Sequence, residues 1–243
     1  MLIVTVDRRA RRRLWLVLSV VVLLALARYA LGPPGQLVVG HVSPLRHVDT
    51  REPKVALTFD ISWGDKVVGP VLDILKAHRV RSTIFVSGGW SAGHPEILRR
   101  MVTESHEVGS HGHRHLNYSQ YSREVVAENL RTAHQIIKDV CGVEPTLFRP
   151  PNGDYSDDVI ATAAEFGYAT VIWDTDSLDW KNPGVDFMVK RVLAKAHPGD
   201  IVLLHCSDSA RQTAEALPRI IEGLRAQGFE LVTVGELLRS TAQ

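Results

Sequence analysis

Cysteine is almost missing from this chain: Cys141 and Cys206 stand far apart in 243 residues. That excludes a disulfide framework and leaves at most a single bridge, with two small buried thiols the simpler reading. Cys206 follows His205, but neighbours on a strand face opposite ways, which counts against a thiol nucleophile served by that imidazole. Excess charge of one sign is missing too. The formal net charge is +1, which gives no basic footprint for nucleic acid. There is no obvious internal repeat and no low-complexity tract. A long apolar run is also lacking: Leu14–Ala27 offers fourteen uncharged residues, whereas a full span takes roughly 20.

That short run follows "RRARRR", Arg8–Arg13. A basic cluster before an apolar stretch is the layout of a secretory signal or an N-terminal anchor, and the positive-inside rule keeps the arginines in the cytoplasm. Two outcomes are open. Residues 14–31 anchor the protein in the cell membrane with the remainder outside, or the chain is secreted after cleavage near Ala25-Leu26-Ala27. Residues 1–31 form this segment. Residues 32–53 carry four prolines without a clear period and read as a linker. Residues 54–238 are regular, and 239–243 form a tail. Hydrophobic residues make up 45%, enough for a buried core.

Within 54–238, short apolar runs alternate with helix-compatible segments. The strand-like runs are "VALTF", "STIFV", "HEVGS", "TLFR", "YATVIW", "DIVLLH" and "FELVTV". Helices are predicted over 66–78, 94–103, 119–140, 156–166, 185–196 and 209–226. Such alternation predicts an α/β fold with a parallel sheet and crossover helices. Seven strands in this span predict a distorted seven-stranded (β/α) barrel, preceded by the N-terminal anchor or signal helix; an open doubly wound sheet is the structural alternative.

The chemistry-bearing residues follow the strands. Asp60 comes after "VALTF", His111 after "HEVGS", Arg149 after "TLF", Asp176 and Asp179 after "YATVIW", and His205 after "IVLL". In (β/α) barrels the C-terminal strand ends build the active site, so these residues converge on one rim. His111 and His115 are four apart, a spacing that puts both rings on one face of a helix or helical turn, as a two-histidine metal site requires. His113 points elsewhere. His78, His94, His106, His134 and His197 read as surface or satisfied core residues.

Five ordered blocks carry a resemblance to the NodB-type polysaccharide deacetylases, carbohydrate esterase family four: "TFD", "HGHRH", "RPPNG", "DSLDW" and "LLH". The wording of "FDISWGD", "RPPNGD", "DSLDWKNPG" and "LLHCSDSA" is closest to a sporulation-associated branch. The resemblance implies a bacterial enzyme that removes acetyl groups from amino-sugar polysaccharide, such as peptidoglycan, spore-wall glycan or chitin-like oligomers. It makes Asp60 the catalytic base and His205 the acid. Arg149 holds Asp60, and Asp179 pairs with His205. His111 and His115 would bind a divalent metal, zinc by family habit. Trp180 would line the groove, Leu203 the acetyl pocket, and a backbone N–H near Asn152 would share the oxyanion's charge. The sequence departs from the family at three places. Ile61 stands where the family has its third metal ligand, an aspartate, and Asp65 is the nearest carboxylate after Asp60. Gly112 replaces a Ser or Thr after the first histidine, and Asn152 replaces an aromatic. Two readings from different classes result: a deacetylase, or a weak or inactive glycan-binding or scaffold protein that keeps the barrel. A hydrolase of a different amide is a third.

Overall fold

The structure, a computed structural model, describes residues 43–240. Residues 1–42, with the anchor or signal run and most of the linker, and residues 241–243 lie outside the described part.

Strand β1 (Lys54–Ile61) is the centre of a parallel sheet. Around it stand β2 (Thr83–Val86), β3 (Glu107–Ser110), β4 (Leu147–Phe148), β5 (Ala169–Thr170), β6 (Thr175–Asp176), β7 (Ile201–His205) and β8 (Glu230–Val232). The order is β5-β4-β3-β2-β1-β7-β6, with β8 pairing the start of β1. The run expected as the fifth strand, 168–173, holds only β5, and β6 follows just past it within one bent segment, 169–176. Its start pairs with β4 and its end with β7, so the two edges of the sheet are joined by one bent stretch of chain. This is the distorted barrel expected from the alternation.

The helices are α1 (Val68–Ala77), α2 (Gly88–Gly93), α3 (Pro95–Thr103), α4 (Arg123–Cys141), α5 (Asp157–Glu165), α6 (Val185–Lys195), α7 (Thr213–Ala226) and α8 (Val234–Arg239). Among the described residues none is long and apolar enough to cross a membrane. Two of them escaped the sequence reading. Helix α2 is glycine-rich, and α8 starts inside the last apolar run with Thr233 in a capping box with Glu236.

Strand β1 is apolar along nearly its whole length because both of its faces are covered. Val55, Leu57, Phe59 and Ile61 belong to the apolar layer beneath the helices. Ala56 belongs to a smaller cluster inside the barrel with Phe85, Leu147, Val171 and Ile201. Side-chain alternation therefore turns Asp60 inward, while Ile61, at the end of the strand, packs in the apolar layer and still borders the cavity at the barrel's mouth.

The base of the barrel has a further closure. Leu45 N donates to Thr170 O at 2.8 Å and Ile172 N donates to Leu45 O at 2.8 Å, while Val48 N donates to Gly199 O at 2.9 Å. Residues 45–48 thus bridge the gap between the bent 169–176 segment and the turn before β7. Gly199 makes this contact possible: its φ is +82° and a Cβ there would lie 1.8 Å from the Val48 carbonyl oxygen. Gly199→Ala should therefore lower stability by about 2 kcal/mol, since it adds left-handed strain to a lost strap contact. Urea unfolding measures this; a loss below about 0.5 kcal/mol, the usual effect of a neutral surface change, would contradict the strap's role.

Candidate active site

Parallel register fixes the first two site residues. Asp60 and His205 are direct partners on β1 and β7, the last residues of those strands on the inner face. Leu203, two residues before His205, is 2% exposed and lines the same cavity, as does Asp176, its partner on β6.

Asp60 is held by Arg149, whose Nη1 donates to Oδ1 at 2.8 Å. Arg149 follows β4 and is fully buried. Its Nη2 donates to Ile172 O at 2.9 Å, and its guanidinium lies 4.2 Å above the Phe85 ring centre and 5.6 Å from that of Trp173. Gly109 clears the space for Phe85, since a Cβ would meet that ring at 2.5 Å. Burial pushes the Asp60 carboxyl upward, but the charge of Arg149, then His111 and His205, and the Arg149 hydrogen bond outweigh it, and the pKa ends below the ordinary carboxylate value. Asp60 is thus an anion at neutral pH.

His205 is the second half of the site. Its Nδ1 lies 2.7 Å from Asp179 Oδ1, and its backbone N–H donates to Asp179 Oδ2 at 2.6 Å. Thr213 Oγ1 donates to the same Oδ2 at 2.7 Å, so the buried carboxylate is fully engaged. This fixes Nδ1 as the protonated nitrogen and leaves Nε2 toward the cavity. Burial disfavours the imidazolium, yet Asp179, then Asp60 and Asp176, raise the His205 pKa above its ordinary value.

His111 and His115 meet without a helix. The stretch after β3 is a bend in which Gly112 takes a φ of +71°. The ring centroids lie 5.4 Å apart. A buried pin shapes the bend. Asn129 Oδ1 accepts from His113 N at 2.6 Å, from Arg114 N at 3.1 Å and from Tyr118 Oη at 2.6 Å. The Tyr118 hydroxyl occupies the place of a Gly112 side chain, 1.8 Å from where a Cβ would be. A Ser or Thr, the family's usual residue there, has no room. His111 Nδ1 donates to the Arg149 carbonyl at 2.7 Å, and its Nε2 lies 3.8 Å from Asp60 Oδ2. Burial pushes His111 down to about 4 and also lowers His115, so both rings are neutral at pH 7.

The donor set for a divalent metal is incomplete. His111 suits one: its Nδ1 is committed to a carbonyl, which leaves the Nε2 lone pair facing the cavity. His115 adds a second imidazole. No third ligand follows. Ile61 borders the cavity but belongs to the apolar layer beneath the helices. Asp65 is exposed and does not line the cavity, and Asp60 is already bound by Arg149. Among the described residues no group of three or more His, Cys, Asp or Glu side chains is placed to hold a metal ion. The residues present do not fit a three-ligand zinc site.

The cavity measures about 430 Å³ and is lined by Asp60, His111, His115, Asn152, Leu203 and His205 among others. It brings together every expected cavity residue, with Arg149 and Asp179 buried behind them. Asn152 has a φ of 58° and its side-chain amide donates to Asn117 Oδ1 at 2.7 Å. Trp180 stands at the wall, 46% exposed. Sequence reasoning missed Trp63 and Trp173, which also line the cavity. An aromatic two residues past a strand end was the available signal for Trp63. His113 faces a separate surface hollow with Tyr121 and Leu116. Cys206 is buried with its thiol pushed well up by burial and the nearby carboxylates, which removes it as a nucleophile.

A barrel that presents a buried, ionised carboxylate and a carboxylate-backed imidazole side by side in one open cavity has the layout of a hydrolytic enzyme. The comparisons narrow this class: residues 47–171 match the model of the polysaccharide deacetylases, and the chain belongs to that family. It is 38% identical over 195 residues to a peptidoglycan-N-acetylglucosamine deacetylase of Bacillus cereus, covering 79% of this chain and 91% of the relative. It is 40% identical over 196 residues to a chitooligosaccharide deacetylase of a Bradyrhizobium strain, covering 75% of this chain and 90% of the relative. Among solved structures, a carbohydrate esterase family four pseudoenzyme from Bacillus anthracis superimposes with a TM-score of 0.78 at 32% identity, over 82% of this chain and 70% of its own. A mutant of that pseudoenzyme with restored enzymatic activity also has a TM-score of 0.78.

The His205–Asp179 pair yields a titration test. Asp179→Asn removes the charge that favours the imidazolium and leaves the burial that opposes it, so the His205 pKa should fall. NMR titration of the ring reads this directly; an unmoved or higher pKa contradicts the pairing. The linked stability has a fixed sign. The folded-state pKa is raised, so the contribution is full below the unfolded value and is lost as pH rises through the folded value. Asp179→Asn should reduce that slope, since only the more distant charges of Asp60 and Asp176 then support the imidazolium.

Proposed function

We propose that the chain hydrolyses the N-acetyl amide of amino-sugar polysaccharide in the cell wall or spore wall. Asp60 takes the proton of the attacking water, Arg149 keeps that base ionised and in place, and His205 gives a proton to the departing amine. The products are a free amine on the sugar and acetate. Asn152, Trp180 and Leu203 line the groove in which the acetylated residue sits. The observation that carries this reading is the shared register of Asp60 and His205, each backed by an oppositely charged buried partner. The relatives named for peptidoglycan and chitooligosaccharides support the substrate class. The basic cluster before residues 14–31 supports a site of action outside the cytoplasm, at the membrane or after secretion.

Turnover is slow in this proposal. With Ile61 in place of a carboxylate, no step is assigned to a metal. That same feature, with the likeness to a pseudoenzyme of the family, favours a second reading in which the groove binds glycan without cleaving it. Acetate release from an N-acetylglucosamine tetramer separates the two. The hydrolase reading expects slow release that falls by about 10²-fold or more in both Asp60→Asn and His205→Ala, with one limb of the pH profile lost in each. No release by the wild type leaves the binding reading in its place, and equal release by the variants overturns the assignment of Asp60 and His205 as base and acid.

A further inference from the structure

A second cluster of titratable side chains lies away from the cavity, where residues 45–48 strap the base of the barrel. His47 on the strap and His197 on the turn before β7 stand edge to face, with ring centroids 5.7 Å apart. They share one carboxylate oxygen: Asp174 Oδ2 lies 3.3 Å from His47 Nδ1 and 3.1 Å from His197 Nε2. His47 Nε2 lies 3.2 Å from Asp49 Oδ1, and His197 Nε2 lies 4.0 Å from Asp200 Oδ1. The backbone sets this meeting, since His47 and Asp200 pair in an antiparallel bridge. Three segments distant in sequence are thus joined by two imidazoles and three carboxylates. The rings and Asp174 are half-exposed, so their protons exchange with solvent.

The protonation state follows from the partners. His197 Nδ1 is 3.0 Å from the Pro198 carbonyl, so it carries a hydrogen. A neutral ring would then turn a lone pair toward Asp174 and Asp200, whereas the imidazolium donates on both sides. His47, flanked by Asp49 and Asp174, is in the same position. Asp200 is fully buried, and neither of its carboxylate oxygens has a hydrogen bond of ordinary geometry; Thr175 eases it without closing one. Its counter-charge is therefore His197. Burial opposes the His197 charge, but the Pro198 carbonyl, Asp200 and Asp174 outweigh it, and the pKa ends above the ordinary imidazole value. Burial lifts the Asp200 carboxyl above the ordinary carboxylate value. The other cations of these segments are turned elsewhere: Arg46 reaches the Tyr155 hydroxyl, Lys54 pairs with Glu52, and Arg51 and Lys195 make no ion pair among the described residues.

What this cluster holds bears on the cavity. Asp174 stands between Trp173 and Asp176, which line the cavity, and two residues after Ile172, whose carbonyl receives Arg149. We propose that His47 and His197 form a pH-operated clasp, which while protonated ties the strap to the bent 169–176 segment and steadies that wall of the cavity, and which opens as the imidazoles lose their protons. In the deprotonated form Asp174 and Asp200 repel across the joint, and Asp200 is a buried charge without a partner. The sign is fixed by His197. Its folded-state pKa is raised, so the clasp's contribution is full below the unfolded value and is lost as pH rises through the folded value.

Amide hydrogen exchange on the full chain, corrected for the intrinsic pH dependence of exchange, tests this. The reporters are the Leu45, Val48 and Ile172 N–H groups that close the strap, and the controls are the amides of β2. Protection of the strap relative to β2 should fall by at least about threefold from about pH 5.5 to about pH 8.5, the scale of a half-exposed ion pair. The double variant His47→Gln/His197→Gln keeps polar side chains that do not titrate, and the fall should vanish in it. Asp174→Asn, which removes the shared charge while leaving both histidines, should shrink the fall and serves where the double variant does not fold. A wild-type ratio that is unmoved or rises with pH overturns the clasp. So does a fall that persists undiminished in either variant, or one matched by the β2 amides, which would mark loss of the whole fold.

Discussion

The ion pair between Asp60 and Arg149 organises the interior of this barrel. It joins the end of β1 to the end of β4, and through Arg149 Nη2 it reaches the carbonyl of Ile172 in the bent segment that joins the sheet's two edges. The Arg149 backbone carbonyl also sets the tautomer of His111. Through its guanidinium and its backbone carbonyl, Arg149 therefore touches three of the elements that supply the site. Such a pair costs desolvation on both sides, and removing one partner strands a charge, a loss of about 3–5 kcal/mol. Its yield in fold stability alone is small. A pair this buried, aimed at an open cavity, makes sense as a means of holding a carboxylate ionised where water can reach it.

The second pair repeats the logic with opposite sign. Asp179 is buried and accepts from His205 twice and from Thr213 once, so its charge is spent on one imidazole. Between the two pairs the cavity holds an ionised base and a protonatable acid a strand apart. What is incomplete is the electrophilic part. His111 and His115 are poised by a pin on Asn129 and Tyr118, and yet the carboxylate that would finish a metal site is an isoleucine packed under the helices. In the proposed reading the groups for proton transfer are both in place, whereas only two imidazoles, His111 and His115, stand where a metal would need three side chains.

Much of this was legible in the sequence because it follows local rules. Polar residues placed directly after apolar strands, in an alternating α/β pattern, mark a barrel rim, and Asp60, His111, Arg149, Asp179 and His205 all lie there. What was not legible depends on contacts between distant segments. The 168–173 run reads as one strand, but only its start pairs with β4, and the chain then bends so that 175–176 pair with β7, which only the closure of the sheet demands. The His111–His115 spacing suggested a helical turn. A glycine with positive φ and the Tyr118 hydroxyl achieve the same juxtaposition in a loop, a solution that spacing cannot distinguish from a helix. Residues 45–48 carry no strong pattern and still join the barrel's base, because Gly199 lacks the side chain that would repel them.

The central claim is that Ile61, not a fault in the acid–base pairs, sets the limit on this site. Zinc affinity by calorimetry, for the wild type and for Ile61→Asp, tests it most directly. The account predicts weak binding by the two imidazoles of the wild type and an affinity at least about tenfold higher once the carboxylate is restored. Wild-type binding as tight as that of Ile61→Asp would contradict it, for it would mean that the chain already supplies a third ligand.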